Sequence, residues 1–243
     1  FVAIMGPTGS GKTTLGQMIA GLIQPQSGVV HVGPYLLHKR SARRRLWQDL
    51  GYVFQFPEHQ VIEDTVLQHI RSRKWTAVQV REMMEALGLS YSDFMTRSLF
   101  QISGGELRRV ALAGVMISQP KLLILDEPTA GLDSCERSRA LSYIKHVHNQ
   151  RRMTVLYMTH RLDEALEHAE RIVVLNDGRL YADFHPRNIR NQWQQLKRIG
   201  FVKTPLLRFI DTLEKQLTIQ VPENIYKEDQ LTTFISNLPK EGQ

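Results

Sequence analysis

Gly6-Pro7-Thr8-Gly9-Ser10-Gly11-Lys12-Thr13 is a complete Gly-x-x-x-x-Gly-Lys-[Ser/Thr] segment, and its two flanks decide the fold. Before it runs Phe1-Val2-Ala3-Ile4-Met5, short, apolar and partly β-branched, as a buried parallel strand should be. From Thr13 onward Leu15, Met18, Ile19 and Leu22 recur at helical spacing. Strand, loop and helix in that order are the context in which this motif cradles nucleotide phosphates. Gly6, Gly9 and Gly11 let the backbone curl so that successive N–H groups point inward, and the helix start adds a positive dipole. Lys12 neutralises phosphate oxygens, and the Thr13 hydroxyl is placed to ligate Mg²⁺. The expected cradle therefore comprises Gly6, Pro7, Thr8, Gly9, Ser10, Gly11, Lys12 and Thr13, with Thr14 beside it.

At 243 residues the chain is long enough for one large α/β domain with a small appendage. No apolar run approaches the roughly 20 residues of a membrane-spanning helix, and the start lacks a signal-peptide pattern. Cys135 is the single cysteine, which excludes an intrachain disulfide and suits a reducing cytoplasm. The chain opens on Phe1, already inside the first strand, so an N-terminal part is expected to be missing, any aromatic platform for a base included. The net charge is +7, with the densest basic stretch at His38-Lys39-Arg40-Ser41-Ala42-Arg43-Arg44-Arg45. That stretch reads as a solvated loop leading into the strand near Gly51 to Phe54. No aromatic interleaving and no recognised nucleic-acid module favour a nucleic-acid surface.

Gly28 to Val32 and Leu50 to Gln55 have strand texture, the second broken at Pro57. From Glu63 to Gly88 the texture is helical, with Val80, Met83, Met84 and Leu87 on one face and Gly88 placed to close the helix. A helical insertion is expected from about residue 59 to about residue 118. Then come three apolar runs, Leu122 to Leu125, Thr154 to Met158 and Arg171 to Leu175, separated by helix-length segments. Such alternation implies a mostly parallel sheet with helices on both faces, and ligands beyond the carboxyl ends of its strands. Asn176-Asp177-Gly178-Arg179 reads as a hairpin turn into a last strand at Leu180 to Phe184. Residues 1–184 are thus expected to form one α/β domain and 185–243 a helical extension. In the latter Thr204-Pro205 opens a helix carrying Leu206, Phe209, Ile210, Leu213 and Leu217, and a second amphipathic stretch carries Leu231, Phe234, Ile235 and Leu238.

Asp126 and Glu127 close an apolar strand. Downstream of a phosphate loop, Asp126 reads as a holder of Mg²⁺ and Glu127 as the group that orients or deprotonates an attacking water. His160 stands one residue beyond the end of the Thr154 to Thr159 run, placed to donate a hydrogen bond to a γ-phosphate. Ser103-Gly104-Gly105-Glu106 has the Ser-x-x-Glu spacing of a capping box. Two glycines in a first helical turn cost about 1 kcal/mol each relative to Ala, which suggests that something approaches the backbone closely; a helix N-terminus open to an anion is a second phosphate site.

Gly6 to Thr13, Gln55, Ile102 to Glu106, Leu122 to Glu127, Pro128 to Asp133 and His160 stand in the order and approximate spacing of an ABC-type ATPase. They resemble its Walker A loop, Q-loop, signature, Walker B, D-loop and switch histidine. Gln55-Phe56-Pro57-Glu58-His59-Gln60, Arg108 to Gly114 and the tail with Val221-Pro222-Glu223 are similar to the ATPase subunits of energy-coupling factor importers, which energise uptake of vitamins or of cobalt and nickel ions.

The resemblance implies a P-loop NTPase core with ATP and Mg²⁺ as cofactors. Two subunits, identical or related, sandwich two ATP molecules, each between the phosphate loop of one and Ser103, Gly104 and Gly105 of the other. It implies that Gln55 senses Mg²⁺ and the attacking water, that Asp133 links the two sites, and that Glu127, His160 and Gln55 carry the chemistry, with Thr13, Gln55 and Asp126 around the metal. The implied partners are a second ATPase subunit, an integral membrane coupling subunit and a substrate-binding membrane subunit, with no nucleic acid, at the cytoplasmic face of the cell membrane. Glu63 and Asp64 are read either as contacts for basic residues of the membrane subunit or as a favourable acidic helix start. The alternatives are a soluble ABC ATPase acting on ribosomes or DNA, and a binding-only regulator, which the presence of both Glu127 and His160 disfavours. One departure stands out: Glu106 occupies the place of the usual signature Gln, bringing a carboxylate toward an incoming phosphate unless it folds back as a cap.

Overall fold

The computed structural model describes residues 1–56, 60, 63–70, 75–217 and 219–237. Pro57, the start of the insertion near residue 59, and Leu238 lie outside the described residues. In chain order the elements are β1 (Val2–Met5), α1 (Lys12–Ile19), β2 (His31–Val32), β3 (Tyr35–Leu36), α2 (Arg40–Asp49), β4 (Leu50–Val53), α3 (Val66–His69), α4 (Ala77–Ala86), α5 (Tyr91–Phe94), α6 (Gly104–Met116), β5 (Leu122–Asp126), α7 (Ser134–Arg151), β6 (Thr154–Met158), α8 (Leu162–His168), β7 (Arg171–Asn176), β8 (Arg179–Phe184), α9 (Ile189–Arg198), α10 (Pro205–Leu217) and α11 (Glu228–Ser236). Among the described residues no helix is long and apolar enough to cross a membrane. The chain forms two compact units, Phe1 with Thr13–Met158, and Val2–Lys12 with Thr159–Gln243.

In the first unit β5 is central and parallel to both neighbours: Tyr52 of β4 stands opposite Ile124, and Asp126 opposite Met158 of β6. Leu123, Ile124 and Leu125 are fully enclosed, as the continuous apolar run requires of a strand covered on both faces. The expected strand at Gly28 to Val32 shrinks to His31–Val32, paired antiparallel with Tyr35–Leu36 in a separate two-stranded sheet.

The basic stretch is not the expected loop but helix α2. Arg ranks near Ala in helix propensity, and the helix is pinned at three points. Leu46 is buried, Trp47 donates its indole N–H to the Ala20 carbonyl at 2.8 Å, and Arg43 donates to the Leu37 carbonyl at 2.8 Å. With Leu46 its one buried residue, α2 shows too narrow an apolar stripe for periodicity to reveal. The solvated part of the reading holds, since Lys39, Arg40, Arg44 and Arg45 are exposed.

The helical texture expected over Glu63 to Gly88 contains two described helices, each opened by a capping box that the apolar pattern hides. Thr65 and Gln68 cap α3, and Thr76 and Gln79 cap α4. Val80, Met83, Met84 and Leu87 are buried as expected, and the N–H of Gly88 bonds the Glu85 carbonyl at 2.9 Å.

In the second unit β1 runs parallel to β7, and β7 turns at Asp177-Gly178 into antiparallel β8. Asp177 and Gly178 have φ of +48° and +71°, the double positive φ that a tight two-residue hairpin demands. Thr204 caps α10 through Oγ1, which accepts the Leu207 N–H at 3.3 Å. Ile210, Val221, Ile225 and Leu231 form a small separate core, joined by Leu206, Leu213 and Phe234. It is narrower than the apolar stripes suggest, because Phe209, Leu217 and Ile235 remain exposed. Arg190 of α9 locks this part, donating to Glu214 at 2.6 Å and to the Val221 carbonyl at 2.6 Å.

Candidate functional site

The phosphate loop lies in the second unit between β1 and the first turn of α1. A Cβ at Gly6 would come within 2.2 Å of the Leu175 carbonyl and 2.5 Å of Ser10 Oγ, and Gly11 has φ of +98°, so neither position admits another residue without strain. The loop is tied down by two backbone bonds of 3.2 Å, from the Ser10 N–H to the Pro7 carbonyl and from the Gly178 N–H to the Ser10 carbonyl. Lys12 is buried and its ammonium donates to the carbonyls of Gly6 at 2.8 Å and Pro7 at 3.0 Å, which arches the side chain back over the loop. Ser10 Oγ is buried with no partner among the described residues, while Thr8 and Gly9 are exposed. A loop with an arched ammonium, an unsatisfied hydroxyl and an open rim fits a phosphate chain. The N–H of buried Thr159 bonds the Ile4 carbonyl at 3.1 Å, two residues before Gly6, so exposed His160 follows directly on a contact with the strand that feeds the loop.

The first unit carries Thr13, Gln55, Ser103 to Gly105, Asp126, Glu127 and Asp133. Asp126 is buried at the end of β5. Glu127 takes φ of +48°, a left-handed conformation in a non-glycine residue. Three hydrogen bonds to its backbone groups hold it there. Its N–H donates to the Met158 carbonyl at 3.1 Å, and its carbonyl accepts the Ala130 N–H at 3.2 Å and Arg108 Nη1 at 2.9 Å. The turn away from β5 thereby gives the acidic side chain a direction different from that of strand residues. Gln55 is half-buried just past β4. Ahead of it the amide of Gln60 donates to the Tyr52 carbonyl at 2.6 Å and accepts the Phe54 N–H at 2.8 Å, prolonging the strand's hydrogen bonding. Thr13 hydroxyl, Asp126 carboxylate and Gln55 amide are hard oxygen donors, the set suited to Mg²⁺.

Ser103 and Glu106 form the expected capping box. The Ser103 N–H donates to Glu106 Oε2 at 2.7 Å, and the Glu106 N–H to Ser103 Oγ at 3.3 Å. The carboxylate is thus folded back on its own helix start, and its pKa is lowered chiefly by that backbone N–H, with Arg97 and Arg109 adding to the effect. Gly104 is exposed, with nothing within 4 Å of where a Cβ would lie. Asp133 is itself a helix cap, its Oδ1 accepting the Glu136 N–H at 2.8 Å. Glu136 returns a weak bond to the Asp133 N–H at 3.3 Å and pairs with buried Arg109 at 2.8 Å. One carboxylate therefore joins the helix that begins at Ser103 to the turn that holds Asp133. Glu63 pairs with His69 Nδ1 at 2.9 Å, and both it and Asp64 precede the Thr65 cap instead of starting the helix.

The ABC transporter family model matches residues 1–130, more than half of the chain. The chain belongs to the ABC transporter family. Curated relatives of this ABC ATPase include the energy-coupling factor transporter ATP-binding protein EcfA2 of Bacillus cereus, 34% identical, with 100% of this chain and 86% of the relative aligned. The protein of the same name from Bacillus licheniformis is 36% identical over 90% of this chain and 79% of its own length. Among solved structures, cbiO1 of Clostridium perfringens, part of the ABC transporter complex cbiONQ, superposes with a TM-score of 0.68 at 26% identity, covering 88% of this chain and 86% of that one. A dimeric ATP-binding cassette in a post-hydrolysis state with ADP and phosphate gives 0.67 at 28% identity, covering 76% and 85%. The mostly parallel α/β fold is that of the P-loop ATPase cassettes, and ATP is the nucleotide of the family.

Three features of this ABC ATPase escape a reading of its motifs. Arg108 looks like part of a helix surface, yet it reaches a carbonyl 19 residues away. The Asp133-x-x-Glu136 spacing is legible as a second capping box, but its link to Arg109 is not. Tyr52, one residue before the end of β4, reads as an ordinary strand aromatic.

Proposed function

We propose that this ABC ATPase is the ATP-hydrolysing subunit of a membrane importer of the energy-coupling factor type, acting at the cytoplasmic membrane face as one of a pair. The full-length similarity to energy-coupling factor ATP-binding proteins carries this reading, and the complete set of ATPase motifs supports it. Gly6 to Thr14 grip the phosphates. Thr13, Gln55 and Asp126 would hold Mg²⁺, which would supply positive charge to offset the negative charge developing on the phosphates. Glu127 takes the proton of the attacking water, and His160 donates to the γ-phosphate. Ser103, Gly104 and Gly105 meet the nucleotide held by the opposite subunit, and Asp133 carries the state of one site to the other. A membrane coupling subunit and a substrate-binding membrane subunit complete the importer, for a vitamin or for cobalt or nickel ions. A soluble role on ribosomes or DNA is not favoured, because the relatives aligned along the whole chain are transporter proteins.

The test is to express Glu127→Gln in its host, solubilise membranes in mild detergent with MgATP, and identify by mass spectrometry what copurifies with the tagged protein. A polytopic membrane protein together with an ATPase chain is the expected result. Recovery of ribosomes or DNA-associated proteins in its place would overturn the importer.

A further inference from the structure

Tyr52 is more than nine-tenths buried, where a phenol hydroxyl usually finds a hydrogen-bond partner. Its strand partner is Ile124, so two residues further along β5 the side chain of Asp126 emerges on the same face. Asp126 in turn stands opposite Met158 of β6. Helix α1 covers that face at Gly16, where a Cβ would lie 3.2 Å from Tyr52 Oη and 2.0 Å from Met158 Cε. The phenol is therefore clamped between the helix that follows the phosphate loop and the strand that ends in Asp126. Its hydroxyl is buried with no hydrogen-bond partner among the described residues, and the Asp126 carboxylate is the acceptor that the strand register brings to its face. A phenol hydroxyl is a hydrogen-bond donor throughout the physiological pH range.

We infer that Tyr52 is a positioning residue for the metal site: its hydroxyl donates to one oxygen of Asp126 and turns the other toward Mg²⁺. The inference rests on the proposed role of Asp126. A carboxylate held on one side by a neutral donor keeps its full charge for the cation while losing the rotational freedom that would weaken the site.

Tyr52→Phe removes the hydroxyl and nothing else, and Tyr52→Met is a second hydroxyl-free variant that fills the cavity differently. Nucleotide affinity is measured with a fluorescent ATP analogue in EDTA and across a titration of free Mg²⁺, alongside the Mg²⁺ dependence of turnover. Both variants are expected to bind nucleotide in EDTA as the wild type does but to need about three- to tenfold more free Mg²⁺ for half-maximal binding and turnover, the loss of one charge-assisted hydrogen bond. Adding Tyr52→Phe to Asp126→Asn is expected to change nothing further, whereas a merely space-filling phenol would add its effect regardless of Asp126. If Asp126→Asn abolishes the Mg²⁺ enhancement while Tyr52→Phe leaves the Mg²⁺ requirement at the wild-type value, the inference is overturned. If Asp126→Asn keeps the enhancement, it is the assigned role of Asp126 that fails, and with it the ground for this inference.

Discussion

Glu136→Ala should destabilise this protein far more than its partly exposed position suggests. Its carboxylate makes a 2.8 Å pair with Arg109, whose side chain is only 8% exposed, and also accepts the Asp133 N–H at 3.3 Å. Arg109 Nε already lacks a partner among the described residues, so deleting the carboxylate leaves the buried guanidinium only the Coulombic influence of Glu106, and breaking a buried pair in this way costs about 3–5 kcal/mol. Losing the return bond of the cap adds a few tenths of a kcal/mol. Glu136 itself is 27% exposed on its side chain; water admitted by the truncation relieves part of the penalty, so the low end, about 3 kcal/mol, is the expected loss. For a chain of this length that lowers Tm by roughly 6–12 °C at about 2–4 °C per kcal/mol. The assay is urea unfolding followed by circular dichroism, run as a double-mutant cycle with Arg109→Met. Met fills the space without a charge, so the double variant should be more stable than Glu136→Ala alone. A Glu136→Ala loss below about 1 kcal/mol, or strictly additive effects, would refute the reasoning. The pair joins the signature helix to the Asp133 turn, so Glu136→Ala is also expected to weaken ATP-dependent dimerisation.

Glu127→Gln should keep ATP-dependent dimers on size-exclusion chromatography while turnover falls by about 10²–10⁴-fold; turnover at the wild-type rate would exclude Glu127 as the base. Glu106→Gln should leave ATPase activity within severalfold, because the Gln amide oxygen still accepts the Ser103 N–H, and abolished activity would overturn the capping explanation. The same substitution tests the lowered pKa of Glu106. Its contribution to stability is complete above the ordinary 4.5 and is lost as pH falls through the lowered folded value, so the variant's stability should fall less steeply in acid. Gly114→Val should cost about 1–3 kcal/mol by overpacking, since a Cβ there would lie 2.4 Å from His69 Nε2; unchanged guanidinium unfolding would show that the His69 ring yields freely.

Local chemistry was legible where it is completed within a few residues. The strand, loop and helix around Gly6 to Thr13, the Ser103–Glu106 cap, the Asp177-Gly178 turn and the Thr204-Pro205 helix start depend on backbone geometry and on side chains three or four positions apart, all of which order and spacing along the chain dictate. Helix α2 was not legible, because one buried Leu and two side-chain hydrogen bonds to carbonyls outside the helix hold it instead of an apolar stripe. The boundary between α3 and α4 was missed for a different reason, since the apolar period runs on while the Thr caps set where each helix begins.

The order and spacing of its motifs marked this chain as a phosphate-binding ATPase, since each motif is a short run whose own backbone makes the cradle or the cap. Tertiary structure decided how the acidic pair at the end of β5 is held. The strand register sets Tyr52 and Asp126 on one face, Arg108 crosses from α6 to fix the left-handed Glu127, and Glu136 ties Arg109 to the Asp133 turn. Apart from the bond between Asp133 and Glu136, these relations join residues at least 19 positions apart by number. They exist only after strands pair and helices pack, when burial has made every unsatisfied polar group costly enough to fix its geometry.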